Sequence, residues 1–208
     1  NAADLTKGLQ RYHHYFPNKI LPKVVTFYGG FNYPIVTTDS VLGIGLEMFL
    51  GKDSDFYMAL SHKYPPYMHQ QFQANHIASL GLKGWLGTEF ILTSKNFLAQ
   101  MVHQGKIQHV LSELLPNTPD SILMGYSKSQ MEWCENNEFL IWQFLIEKDL
   151  LYSTDQMLVM KYMNPAPNTR GMPLESPGRV ACWIGWRIVS AYMNSHPNSS
   201  LNDLMQIK

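Results

Sequence analysis

The strongest constraint on the fold is the stretch from Asn164 to Met193, where a proline-rich loop leads directly into an apolar segment. After the loop, apolar residues recur at the spacing of a helix face buried in a core. They are Val180, Trp183, Ile184, Ile188, Ala191 and Tyr192. Ser176 has the side chain of a helix N-cap, and Pro177 suits the first helical position, where no N–H is needed. The pattern predicts a long core helix that begins at Pro177 and ends at His196.

Charged and aromatic residues cluster at the start of this predicted helix. Arg170, Glu175 and Arg179 lie in the loop and the first turn, and Trp186 follows on the helix. Binding groups are common where a rigid element meets irregular chain, but ion pairs that only fasten a loop give the same pattern. Aromatic rings beside charged groups likewise occur in peptide-binding grooves and in ordinary cores. Both interpretations remain open for this region.

Composition limits the functional classes. The chain has 208 residues, of which 45% are hydrophobic and 15% charged, so we expect one domain, residues 1–208, with a sizeable core. Equal numbers of basic and acidic residues, 16 of each, give zero net charge. Without a basic block, nucleic acid is not an expected partner. Cys134 and Cys182 lie on predicted helices and form either a disulfide or two buried thiols.

The first quarter of the chain predicts a helix followed by three short strands. The helix covers residues 2–15, and the β-branched and aromatic runs at residues 23–28, 33–37 and 41–46 predict the strands. Three strands in succession favour an antiparallel meander. Gly43 and Gly45 lie on one face of the third strand, where another backbone, a ligand or a packed helix comes close. The fold class is therefore α+β, a mostly helical single domain with a small antiparallel sheet near the N-terminus.

Several signals predict the helix boundaries in the remaining chain. Residues 67–90 predict two helices with a break near Gly81 or Gly84, and residues 96–115 predict one strong helix. Ser127 and Gln130 form a capping box for a helix that runs to about Lys148. Ser153 or Thr154 caps a helix at residues 156–163, and Ser200 caps a last short helix.

The motifs of common catalytic and metal sites are missing from the sequence. There is no H-E-x-x-H, no C-x-x-C, no G-x-S-x-G and no phosphate-binding glycine loop. The eight histidines lack the spacing of zinc ligands. We therefore predict no catalytic residue, no metal and no cofactor.

A series of short strings carries a family resemblance. They include RYHHYFP at residues 11–17, VLGIGLEMFLG at 41–51, LPNTPD at 115–120, MEWCENNE at 131–138, DLLYSTD at 149–155, NPAP at 164–167 and SPGRVACWIGW at 176–186. In this order they resemble the GldB-type gliding-motility lipoproteins of Bacteroidetes. The resemblance implies a cell-envelope protein, periplasmic or on the outer membrane. It also implies that the protein contacts the membrane only through a lipid on a cysteine upstream of Asn1.

The order of sheet and helices is also similar to a group of predicted zinc metallopeptidases. In that group one helix carries H-E-x-x-H and a later helix carries Glu-Gly-Leu-Ala, whose Glu is a zinc ligand. The matching positions here are the helix around residues 73–85, which has no such pair, and the run at 103–106, where Gln104 replaces the ligand Glu. A neutral amide is a poor zinc ligand. The resemblance therefore implies a degenerate metallopeptidase-like fold without the activity.

These observations favour a non-catalytic envelope domain, part of a gliding or secretion machinery. It would bind a protein or peptide partner in a peptidase-like cleft beside the sheet. The predicted binding residues are Tyr152, Arg170, Glu175, Arg179 and Trp186. An arginine among them suits a partner carboxylate, which it can hold through two parallel hydrogen bonds.

Two alternatives remain. One is a metal-dependent hydrolase with ligands drawn from His69, His76, Glu89 and His103, whose side chains would have to converge. The other is a purely structural envelope subunit, which an exposed apolar patch without a pocket would indicate.

Overall fold

The computed structural model describes residues 2–207, which are mostly helical with one small sheet, as the predicted α+β class requires. The strands are β1 (Lys23–Phe27), β2 (Ile35–Thr37) and β3 (Val41–Gly45). The helices are α1 (Ala2–Tyr15), α2 (Asp55–Ala59), α3 (Pro66–His69), α4 (Ile77–Glu89), α5 (Phe97–Leu114), α6 (Asp120–Met124), α7 (Lys128–Asn136), α8 (Glu138–Glu147), α9 (Gln156–Met163), α10 (Val180–Ser195) and α11 (Leu201–Gln206). Short 3-10 helices cover Leu46–Phe49 and Ala74–His76.

The described chain divides into two compact units. The first contains residues 2–91, Val110–Gly125 and residues 200–207, and the second contains Leu92–His109 and Tyr126–Ser199. The sheet lies in the first unit, together with α1 to α4, α6 and α11. The second unit is helical and contains α7 to α10. A single domain across residues 1–208 stays a prediction.

The sheet has the order β1-β3-β2, so the predicted antiparallel meander is wrong. A short turn joins β2 to β3 as an antiparallel hairpin, in which Ile35 pairs with Ile44. The connection from β1 to β2 is longer, and β1 pairs with β3 in parallel, with Lys23 opposite Val41. Burial explains why β3, and not β2, lies in the centre of the sheet. β3 has the most buried residues of the three strands, and in the central position a neighbouring strand covers each of its edges.

The glycines of β3 make room for this chain itself. A Cβ atom on Gly43 would lie 3.2 Å from the ring of Phe27. One on Gly45 would collide with the carbonyl oxygen of Tyr33. The bare face of the strand is therefore filled by a neighbouring side chain and backbone of the same unit.

Helix α4 packs on α1, β2 and β3 and forms the centre of the first unit. Leu82, Trp85 and Leu86 are fully buried in this core. The predicted break near Gly81 or Gly84 is wrong, because α4 continues through both residues. A Cβ atom on Gly84 would lie 2.9 Å from Ile35, so this glycine serves close helix–sheet packing rather than a turn.

Helix α10 supplies the core of the second unit, with Trp183 and Ile184 fully buried. It begins at Val180, so the predicted start at Ser176 and Pro177 is wrong. The Ser176 hydroxyl is already used by the loop: it donates to the Pro173 carbonyl (2.6 Å) and accepts from the Thr169 amide (3.2 Å). The residue before the helix is Arg179, in a left-handed conformation with φ 61°.

The other predicted caps had mixed outcomes. The capping boxes at Ser127 and Ser200 are confirmed. The single helix from Ser127 to Lys148 is wrong, because the chain bends at Asn137 and α8 begins after it. Asp155 caps α9 in place of Ser153 or Thr154, since its carboxylate accepts from the Met157 amide at 2.9 Å.

Cys134 and Cys182 are buried thiols of the second unit, and no disulfide joins them. Burial raises the pKa of the Cys134 thiol to about 12, with a smaller contribution from the charge of Glu135. Such a thiol behaves as a small apolar residue and is chemically inert.

Candidate functional site

Exposed aromatic rings surround the loop that follows β1. Tyr28 is 77% exposed and Phe56, on α2, is 60% exposed. The half-buried ring of Phe31 lies between them, with its centroid 6.4 Å from Tyr28 and 5.6 Å from Phe56. We call residues 28–33 the aromatic loop, and the rings of Tyr28, Phe31 and Phe56 the aromatic surface. The surface belongs entirely to the first unit.

The backbone of the aromatic loop is held in a costly conformation. Phe31 has φ 57°, in the left-handed region, which costs a residue with a Cβ atom roughly 1–2 kcal/mol. Its carbonyl oxygen accepts from Lys63 Nζ at 3.0 Å and from the Tyr64 hydroxyl at 2.7 Å. Such a conformation persists only where surrounding contacts fix it, and bulky residues in it cluster at functional sites.

A buried carboxylate fastens the other side of the loop. Glu47, which is only 6% exposed, lies in the 3-10 helix after β3. Its Oε1 accepts from the Gly29 amide at 2.6 Å and the Phe31 amide at 3.3 Å, while Oε2 has no hydrogen-bond partner within residues 2–207. Tyr57, beneath the loop, donates its hydroxyl to the Glu47 carbonyl at 3.0 Å. The carboxylate therefore joins the aromatic loop to the end of the sheet.

A broad cavity of about 460 Å³ adjoins the aromatic surface at Phe56. Its lining residues are Leu50, Gly51, Lys52, Asp53, Ser54, Asp55, Phe56 and Gln73. They include charges of both signs next to apolar groups, the mixture found in protein–protein contacts. The cavity does not have the enclosed, mainly apolar lining of a small-molecule site.

All five predicted binding residues lie in the second unit. Tyr152 is 80% exposed, and Glu175 is also exposed. Trp186 is 7% exposed, and its indole N–H has no acceptor in the described chain. Arg179 is half-buried, and its guanidinium lies 5.5 Å from the centroid of the Tyr126 ring. Arg179 and Trp186 are thus packed into the second unit, whereas Tyr152 and Glu175 face solvent.

Arg170 is the predicted residue that lines a cavity, which we call the Arg170 cavity. Its volume is about 370 Å³. It is lined by Phe144, Lys148, Leu150, Leu158, Lys161, Tyr162, Arg170 and Gly171. None of the other four predicted residues is part of it. Arg170 is accompanied instead by two lysines that no sequence signal marks, Lys148 and Lys161.

The ligand set of the hydrolase alternative does not assemble. No group of three or more His, Cys, Asp or Glu residues could hold a metal ion within residues 2–207. His69 places Nε2 2.7 Å from the Tyr64 carbonyl oxygen, and Glu89 forms an ion pair with Lys19 at 3.2 Å. His76 is 1% exposed, and burial lowers its pKa to about 4.

The sequence contained a signal for the aromatic loop but none for the Arg170 cavity. Glu47 is an acid in the apolar run at residues 41–50, and a buried acid needs hydrogen-bond donors. The amides of Gly29 and Phe31 supply them. Lys148, Lys161 and Arg170 have no common motif or periodicity. They come together only because the loop after α9 folds back toward the end of α8.

Comparison with known protein families gives a match over the whole chain. The family described as gliding motility protein GldB matches residues 1–208, which include both compact units. No curated protein and no solved structure matches the chain. Within residues 2–207, every helix is too short or too polar to cross a membrane. The similarity to zinc metallopeptidases stays a prediction.

Proposed function

Since this chain belongs to the GldB family of gliding-motility proteins, we propose that it is a non-catalytic envelope domain that binds a protein partner through its aromatic surface. The name of the family denotes lipoproteins, which supports a location in the cell envelope. The proposed membrane contact is a lipid anchor upstream of Asn1. The proposal does not depend on a peptidase-like cleft.

The observation that carries the proposal is the exposure of large aromatic rings on a fixed backbone. Full burial of one such ring against a partner contributes roughly 1.5–3 kcal/mol to a complex, and partial burial contributes less. Aromatic residues are enriched among the few positions that dominate binding energy. The loop is already ordered by Glu47, Lys63 and Tyr64, so little conformational entropy is lost on binding. This combination favours a protein-binding surface over a purely structural role.

The five residues predicted from sequence form a second candidate region. Tyr152 and Arg170 are exposed and can contact a partner, whereas Arg179 and Trp186 are packed against their own unit. We propose that any contribution of this region to partner binding comes from Tyr152, Arg170 and Glu175.

The experiment is site-specific photo-crosslinking in the source cells. A photo-reactive amino acid replaces Tyr28, Phe56, Tyr152 or Phe139, the last being a control that is 81% exposed on α8. We expect positions 28 and 56 to crosslink to the same protein and position 139 not to do so. Equal crosslinking at position 139, or no crosslink at 28 and 56, would contradict the aromatic surface. Crosslinking from position 152 alone would show that the partner binds the second candidate region and not the aromatic surface.

A further inference from the structure

The Arg170 cavity combines a positively charged rim with an apolar wall. Phe144, Leu150 and Tyr162 are 8%, 2% and 3% exposed and form the wall. Lys148 and Arg170 are exposed at the rim, and Lys161 lies with Nζ 4.9 Å from the centroid of the Tyr162 ring. Among the residues that the structure describes, none with an acidic side chain lines the cavity. Its volume of about 370 Å³ falls within the usual range of roughly 300–1,000 Å³ for ligand pockets.

The three cations of this cavity lack an ion-pair partner among residues 2–207. None of Lys148, Lys161 and Arg170 forms an ion pair with any residue in the described chain. Two acids of the neighbouring helices bind neutral donors instead: Glu147 accepts a hydrogen bond from the Gln143 amide at 2.7 Å, and Asp155 caps α9. Three unpaired cations around an apolar wall repel one another and attract an anion. The net charge of the chain is zero, so this local excess of positive charge does not follow from the composition.

We infer that the Arg170 cavity binds an organic carboxylate whose carbon body is apolar. The planar fork of Arg170 matches the two oxygens of a carboxylate, and the two lysines of the lining add positive charge. The apolar body would lie against Phe144, Leu150 and Tyr162. No residue of the aromatic surface takes part, so this site is separate from the surface that carries the proposed function. It shares only Arg170 with the second candidate region.

Two sources share this chemistry, namely a protein chain end with an apolar last residue and a free aliphatic acid. The test therefore measures the affinity of the purified chain for three probes by calorimetry. The probes are an acetylated tripeptide ending in phenylalanine with a free carboxylate, the same peptide with a C-terminal amide, and octanoate. We expect at least one of the two carboxylates to bind, and the amide to bind at least about tenfold more weakly than the free peptide if the peptide is the ligand.

Matched variants test the assignment of residues. Lys148→Gln and Arg170→Gln each remove one charge from the rim, and we expect each to weaken carboxylate binding about tenfold to a hundredfold. Arg170→Lys keeps the charge but removes the guanidinium with its two parallel donors, so carboxylate binding should weaken less than in Arg170→Gln. Lys128→Gln on α7 is the control, because that side chain is 91% exposed and lies outside the cavity.

The affinity for the carboxylate should also fall as ionic strength rises, since the charges at the rim are exposed to solvent and salt screens them. Absence of binding by both carboxylates would overturn the inference. Equal binding of acid and amide, or equal losses in Lys128→Gln and Arg170→Gln, would also overturn it. None of these results bears on crosslinking at positions 28 and 56, so the two proposals fail separately.

Discussion

Gly105 of α5 and Gly185 of α10 face each other where the two helices are in backbone contact inside the second unit. A Cβ atom on Gly105 would collide with the carbonyl oxygen of Gly185. One on Gly185 would collide with the carbonyl oxygen of Met101. The absence of both side chains is therefore what lets α10, the helix with the two buried tryptophans, pack directly on α5.

Gly105→Ala should destabilise the protein strongly, because the obstructing atoms belong to backbone and cannot rotate away. We expect the free energy of unfolding to fall by about 3 kcal/mol, at the upper end of the usual cost of overpacking. Gly185→Ala should behave in the same way. Gly87→Ala is the control, since nothing lies within 4 Å of its added Cβ atom, and there alanine should gain roughly 0.5–1 kcal/mol. Urea denaturation measures all three, and similar results for Gly105 and Gly87 would contradict the close crossing.

Glu47→Ala should release the aromatic loop. The variant leaves the Gly29 and Phe31 amides without their acceptor, so the free energy of unfolding should fall by about 2 kcal/mol. Glu47→Gln retains an acceptor oxygen and should lose less than half as much. Hydrogen exchange of the two amides should accelerate in the alanine variant and much less in the glutamine variant. Equal losses in both variants would show that the charge, rather than the acceptor, holds the loop.

His76 should make stability depend on pH. Burial is the main cause that lowers its pKa to about 4, and a weaker backbone hydrogen bond to Ile122 opposes it. The unfolded state therefore binds a proton near pH 6.5, before the folded state does, and stability is lost as the pH falls from about 6.5 to 4. Between pH 7 and pH 5 the loss attributable to His76 should be about 2 kcal/mol.

Replacing the imidazole tests this dependence. In His76→Leu the fall in the free energy of unfolding between pH 7 and pH 5 should shrink by that amount, as measured by urea denaturation at each pH. Other groups titrate equally in both proteins. The difference between the two plots of the free energy of unfolding against pH therefore gives the contribution of His76. Identical slopes would contradict a buried, neutral imidazole.

The two cysteines should be inert in the folded protein. A thiol reagent should leave Cys134 and Cys182 unmodified under native conditions and label both in denaturant, because both are buried and the pKa of Cys134 is raised to about 12. A reducing agent should leave the melting temperature unchanged. A fall in the melting temperature on reduction would reveal a disulfide, whose loss typically lowers the free energy of unfolding by about 2–5 kcal/mol.

Local sequence signals predicted local structure well. The sequence predicts Ser127 and Ser200 as capping residues because each box is complete within four residues, and both are confirmed. Ser176 has the same chemistry, yet its hydroxyl is bound to Pro173 and Thr169, so the helix begins four residues later. The sequence around a serine next to proline does not reveal which of its possible hydrogen-bond partners is nearer in the folded loop.

Properties that depend on distant parts of the chain were harder to predict. The meander failed because adjacency in sequence does not specify which strand becomes central, and burial of Leu42 and Ile44 placed β3 there. The sequence pattern points to Arg170, but it does not show that Lys148 and Lys161 line the same cavity, because only the fold brings them together. Tyr28 and Phe56 are ordinary aromatic residues in the sequence, and only their shared exposure identifies a surface.

The central claim, that the aromatic surface binds a protein partner, is tested most directly by the affinity of the purified domain for the protein crosslinked at position 56. We predict that Tyr28→Ala combined with Phe56→Ala weakens this affinity about a hundredfold, or roughly 2.7 kcal/mol. Phe139→Ala, which removes a ring that is 81% exposed, should change this affinity less than about twofold. An unchanged affinity in the double variant, with its fold intact by circular dichroism, would contradict the account.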